Sequence, residues 1–113
     1  MEPFKRTIAC GLVGIEHLNT VITLAGWVNK RRDHGSLIFI DLRDRSGMMQ
    51  VVFSKDFSLS AHATAQEVRS EFVLSVTGKV VDRDSKSINK DLSTGHFELH
   101  VEQCEVLNTC KVL

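Results

Sequence analysis

From Leu37 to Asp44 the chain reads "LIFIDLRD", and Ile38, Ile40 and Leu42 share one parity. Leu37, Phe39, Asp41 and Arg43 share the other. A period of two marks a strand with one buried face. Before it, "NTVITLAGWVNKRR" is rich in β-branched residues and reads as a long strand. Both of its parities carry apolar side chains, so it is expected to be central and bent, with Gly26 permitting a bend or bulge. "DHGS" supplies a turn in which Gly35 takes positive φ, and "RSG" a second with Gly47 in that role. "MMQVVF" is a third strand, with Met49, Val51 and Phe53 on one parity and Met48, Gln50 and Val52 on the other.

The period then changes. In "SAHATAQEVRSEF", Ala61, Ala65, Val68 and Phe72 recur at helical spacing, with Ser60 as the expected N-cap. "FVLSVTGKVVDR" returns to alternation as a fourth strand, "DSKSINKDLSTG" is a polar loop, and "HFELHVEQCEVL" is a fifth strand. There Phe97, Leu99 and Val101 point inward, and Glu98, His100 and Glu102 outward. The order β-β-β-α-β-β predicts an all-β, five-stranded Greek-key barrel of the OB-fold type, its helix between the third and fourth strands. An open α+β sheet is the competing architecture; closure is favoured because it removes exposed strand edges. Residues 1–19 read as an irregular or helical lead-in, and residues 20–113 as the barrel.

A chain of 113 residues forms one compact domain. No stretch approaches the roughly 20 apolar residues that span a bilayer, and "MEPFKRTIACGLVG" lacks a signal-peptide core, so a cytoplasmic location is expected. The 14 basic and 14 acidic residues cancel, which argues against a nonspecific nucleic-acid coater. The charge is uneven, however: Lys30, Arg31, Arg32, Arg43 and Arg45 cluster, while acids outnumber bases after Val51. Cys10, Cys104 and Cys110 include no C-x-x-C pair and read as thiols, not as a zinc site.

No nucleophile–base set, P-loop or G-x-G-x-x-G is present, so no catalytic residues are assigned. His96 and His100 on one strand would stand roughly 13 Å apart, too far to share a metal by themselves, and are expected on a solvated strand face. The outer parity of the second and third strands is more informative. It pairs the aromatic Phe39 with the amide of Gln50, next to a basic run. An aromatic ring can stack on an unpaired base, and an amide can read a base edge. Packing of Phe39 under a loop, a general single-strand binder and a protein-interaction surface are the competing roles.

"GWVNKRRDHGSLIFIDLRDRSGMMQVVF" resembles the N-terminal anticodon-binding domain of bacterial-type aspartyl-tRNA synthetases. "RTIACGLVG" is similar to the opening segment of that family, and Thr94, Gly95 and Glu98 match its "T-G-x-x-E" segment. Lysyl- and asparaginyl-tRNA synthetases carry related domains, but "RRDHGSLIFIDLRDR" fits the aspartyl family best. The resemblance implies an OB-fold that splays out the G-U-C anticodon of tRNA(Asp), a single-stranded RNA loop, with neither DNA nor a membrane as partner. It implies that Phe39 stacks on the central uracil, that Gln50 hydrogen-bonds it, and that Arg32 meets the third base. Glu98 would accept from the first base, Lys30 and Arg31 would contact phosphates, and Arg83 and Asn89 would flank the loop near the first base.

Within this family some enzymes are strict for tRNA(Asp) and others also aspartylate tRNA(Asn). His34 stands where some members have leucine and leans towards the relaxed type; Ser87 fits neither pattern. The resemblance further implies a homodimeric parent that uses ATP and Mg²⁺ through a class II catalytic domain. That domain is absent from this chain, which therefore reads as an excised, cofactor-free module.

Overall fold

The structure is a computed structural model and describes residues 7–109. Five strands run as β1 (Val21–His34), β2 (Leu37–Asp44), β3 (Gly47–Ser54), β4 (Val73–Asp82) and β5 (Phe97–Asn108). One helix, α1 (Leu59–Glu67), lies between β3 and β4. The strands close into a barrel in the order β1-β2-β3-β5-β4, with β3 and β5 parallel and every other pair antiparallel. This is the OB-fold expected from the element order, and the open-sheet alternative is excluded. Among the described residues no helix is long and apolar enough to cross a membrane.

β1 is shared between two partners. Val21–Trp27 pair with β4, and Trp27–His34 pair with β2. The bulge expected at Gly26 lies further on: the register shifts between Val28 and Lys30, leaving Asn29 as the extra residue. Gly26 serves close approach instead, since a Cβ there would sit 2.4 Å from the Arg43 carbonyl oxygen. The hairpin turn does use Gly35 in the left-handed region, at φ +63°.

The helix differs from its expected bounds at both ends. Ser58, not Ser60, is the N-cap, its Oγ accepting from the Ala61 amide at 3.2 Å. The helical stripe does not continue to Phe72, because Val68 is already extended and Glu71 has φ +73°. Glu71 N–H donates to the Val28 carbonyl and Val28 N–H to the Phe72 carbonyl, so this segment satisfies the backbone where β1 crosses from β4 to β2. Ala61, Ala65 and Val68 are buried and seal one end of the barrel against β3 and β5.

Within the barrel, Ile22, Leu24, Val28, Ile38, Ile40, Leu42, Met49, Val51 and Phe53 join Leu74, Val76, Val80, Leu99 and Val101 in one core. The lead-in forms short 3-10 turns at Cys10–Leu12 and Ile15–His17, and adds Cys10 and Val13 to that core. Cys10 is buried with its Sγ 3.8 Å from the Ala25 carbonyl oxygen, and Cys104 is held as a thiol, its pKa pushed up to about 12 by burial and by Glu105. Cys110 lies outside the described residues.

Asp44 ties the lead-in to the β2–β3 turn. Its Oδ2 accepts from the Cys10 amide and its Oδ1 from the Ser46 amide, each at 2.8 Å. Burial pushes the Asp44 carboxyl up, but hydrogen bonds from Ser46 and Cys10 outweigh it and hold the pKa below its ordinary value. A carboxylate depressed in the folded state stabilises above its unfolded pKa of about 3.9, and that contribution is lost as pH falls through the folded value. Urea midpoints taken from pH 6 down to pH 2 should therefore fall less steeply in Asp44→Asn than in the wild-type chain. Parallel curves would show that Asp44 contributes nothing to acid sensitivity.

Candidate nucleic-acid interface

The bulge at Asn29 decides which basic residues share a face. A one-residue insertion swaps the facing of every side chain beyond it. Past the bulge, Lys30 pairs with Asp41, Arg32 with Phe39 and His34 with Leu37, so these side chains emerge on the outer face. Arg31 pairs with Ile40 and takes the inward parity. Its Nε donates to the Ala65 carbonyl at 3.1 Å, near the C-terminal end of α1, and its Nη1 pairs with Asp33 at 2.8 Å. The expected grouping of Arg31 with Lys30 and Arg32 is thus corrected: Arg31 caps α1 on the other side of the hairpin.

Two rows of side chains cross the outer face. Arg32, Phe39, Val52 and His100 are successive partners across β1, β2, β3 and β5. Lys30, Asp41 and Gln50 form the second row, and Gln50 reaches Glu98 on β5. Phe39 is half-buried on the outer parity. The His34 ring meets it edge-on at 5.5 Å, and the Arg32 guanidinium stands 5.9 Å from its centroid. Val52, not Gln50, is its direct partner on β3.

Gln50 departs further from expectation. Only 6% of it is exposed, and both ends of its amide are engaged. Its Oε1 accepts from Arg32 Nη2 at 3.2 Å, and its Nε2 donates to Glu98 Oε1 at 2.9 Å. Glu98 Oε2 is 2.9 Å from His100 Nε2, and the His100 ring stacks on Phe57 at 4.2 Å. Arg32 also lies 3.6 Å from Asp41. The outer face is therefore a connected polar chain, Asp41–Arg32–Gln50–Glu98–His100, with an aromatic ring at either side. Parity identified its outward members, but not the burial of Gln50 or the roles of His100 and Phe57. His100, expected on a solvated face, is half-buried against Phe57.

Arg83 lies beneath the loop that follows β4. It is 8% exposed; its Nε donates to the Phe97 carbonyl at 2.9 Å and its Nη1 to the Ser87 carbonyl at 3.1 Å. Its buried Nη2 has no hydrogen-bond partner. Burial lowers its pKa from the usual arginine value, and Glu98 and Asp41 offset part of that effect. Asn89 is exposed on the same loop, its Oδ1 accepting from the Asp91 amide at 3.0 Å. Buried Thr94 donates to the Met48 carbonyl, which pins the loop to β3. Among the described residues no three His, Cys, Asp or Glu side chains gather as a metal site.

Residues 22–107 match the tRNA anticodon-binding family of OB-fold nucleic acid binding domains. The chain belongs to that anticodon-binding family. This domain is 52% identical to an aspartate–tRNA ligase of Staphylococcus epidermidis over 92% of its own length and 18% of the ligase's. It is 48% identical to an aspartate–tRNA(Asp/Asn) ligase of Acidobacterium capsulatum, over 96% and 18% of the two chains. The domain thus spans 18% of the length of the curated relatives it matches. Its fold superposes on the asparaginyl-tRNA synthetase of Pyrococcus horikoshii with a TM-score of 0.74 at 28% identity, covering 92% of this chain and 23% of that one. The OBody AM3L15, solved bound to hen egg-white lysozyme, shares the fold alone: TM-score 0.80 at 19% identity, over 96% and 95% of the chains.

Proposed function

We propose that this domain reads the G-U-C anticodon of tRNA(Asp) for an aspartate–tRNA ligase. The observation that carries the reading is the placement of Phe39. It is an aromatic ring on the outer face, flanked by Arg32 and His34, above polar groups already oriented by one another. A base turned out of the anticodon loop would stack on Phe39. Gln50 has two amide N–H donors and gives one to Glu98, so the second remains for a uracil carbonyl. Arg32, with a side chain 38% exposed, keeps donors for the third base. Glu98 would accept from the first base, where guanine offers N–H groups. Lys30 on the outer face would hold phosphate; Arg83 would support the loop from below, with Asn89 exposed above the first base.

The rest of a full-length ligase would supply the aspartylation chemistry. ATP, Mg²⁺ and the transfer of aspartate to tRNA belong to that part, in a homodimer working in the cytoplasm. His34 touches Phe39 at the tip of the β1–β2 hairpin and is the residue through which tRNA(Asn) would be admitted as a second substrate. The Asn and Asp anticodons differ in their third base, so aminoacylation of both tRNAs by the full-length enzyme tests this point, and refusal of tRNA(Asn) contradicts it. Binding isotherms against tRNA(Asp), an unrelated tRNA and poly-U test the main reading. Preference for tRNA(Asp) is expected. Equal affinity for all three would make the domain a general single-strand binder, and absence of RNA binding would leave a protein-interaction surface.

A further inference from the structure

Glu98 is a flexible carboxylate, yet both of its oxygens are occupied. Gln50 Nε2 holds Oε1 and His100 Nε2 holds Oε2, each at 2.9 Å. Glu98 and His100 are neighbours on the outward parity of β5. His100 is itself fixed, because its ring lies against Phe57 at a centroid distance of 4.2 Å and an interplanar angle of 15°. Phe57 comes from the turn after β3, where its amide donates to the Ser54 carbonyl at 3.0 Å. Lys79, the register partner of His100 on β4, is exposed. A carboxylate oxygen has two lone pairs, so each Glu98 oxygen can still accept once more after these bonds.

We propose that His100 is a positioning residue: clamped by Phe57, it orients the Glu98 carboxylate before RNA arrives and so sharpens discrimination at the first anticodon base. The inference rests on the reading of Glu98 given above. Without the imidazole, Glu98 would have to be ordered by the RNA itself. Immobilising one rotamer-rich side chain on binding weakens an interaction by about 2- to 10-fold. That loss falls on the base that Glu98 reads. Guanine presents an N1–H donor to a carboxylate, whereas adenine presents an acceptor at that nitrogen and is repelled.

The test measures anisotropy of anticodon stem-loops carrying guanine or adenine at the first position. It uses the wild-type chain, His100→Leu, His100→Gln and Phe57→Leu, with a melting curve for each. Wild type prefers guanine. His100→Leu narrows the guanine-to-adenine ratio by about 2- to 10-fold. His100→Gln, which keeps an N–H donor, restores most of the ratio. Phe57→Leu moves it in the same direction as His100→Leu, and carries the test if His100→Leu does not fold. A wild-type ratio in both leucine variants overturns the inference, as does an equal loss for the two loops, which marks a structural role alone. If wild type itself binds both loops equally, the assignment of Glu98 fails and this inference with it.

Discussion

Replacing Phe39 with alanine should lower the affinity of the domain for the tRNA(Asp) anticodon loop by about 5- to 150-fold. On the proposed reading the loss is that of a base–aromatic stack, worth about 1–3 kcal/mol. The barrel itself should survive. Phe39 is half-buried on the outer parity, while the volume beneath it is filled by Ile38, Ile40 and Phe53. Its removal costs the edge contact with His34 and the guanidinium of Arg32, not a core side chain. The stability loss should therefore stay well below the about 3–5 kcal/mol expected for alanine at a buried position such as Phe53. Chemical denaturation measured beside the binding isotherm checks both halves. A variant that melts as a core mutant does, or one that binds as tightly as wild type, refutes the role given to Phe39.

Gly95→Ala acts in the opposite manner, through the fold. A Cβ at Gly95 would lie 1.6 Å from the Asn89 carbonyl oxygen and 3.0 Å from that of Leu92. Both contacts are backbone, so no side chain can swing aside. The same residue receives the Asn89 amide on its carbonyl and donates its own amide to Leu92, each at 3.0 Å. The loop must open, and with it go the Ser87 carbonyl that holds Arg83 and the placement of Thr94 against β3. A backbone clash of this kind costs about 2–3 kcal/mol, and the melting temperature should fall by about 8–16 °C. Anticodon affinity should fall as well, because Arg83 also donates to the Phe97 carbonyl, one residue before Glu98. Calorimetry showing an unchanged Tm would contradict the close approach.

β2 occupies Leu37–Asp44, the bounds its alternation predicts, since one face meets the core and the other does not. β3 shows no such contrast: Gln50, Val52 and Ser54 are buried along with Met49, Val51 and Phe53. Parity separates two faces but does not say that β5 and Phe57 bring partners to the outer one. The bulge at Asn29 was invisible for a related reason. Nothing in "WVNKRR" marks the extra residue, yet it puts Lys30 and Arg32 on the same face as Phe39 and sends Arg31 to the helix. Helical spacing misled at Phe72, where backbone pairing with Val28 outweighed periodicity. Glu98 was legible as an outward residue, while His100 and Phe57 meet only because the turn after β3 folds back against β5.

On the proposed reading, this outer face recognises three particular bases rather than any single strand. Titration of the domain with tRNA(Asp) anticodon stem-loops, each changed at one anticodon base at constant salt, tests it most directly. Each change within G-U-C should weaken binding well beyond a change elsewhere in the loop, and a change at the central uracil should lose its effect in Phe39→Ala. Equal affinity for every loop would show that the face does not read the anticodon.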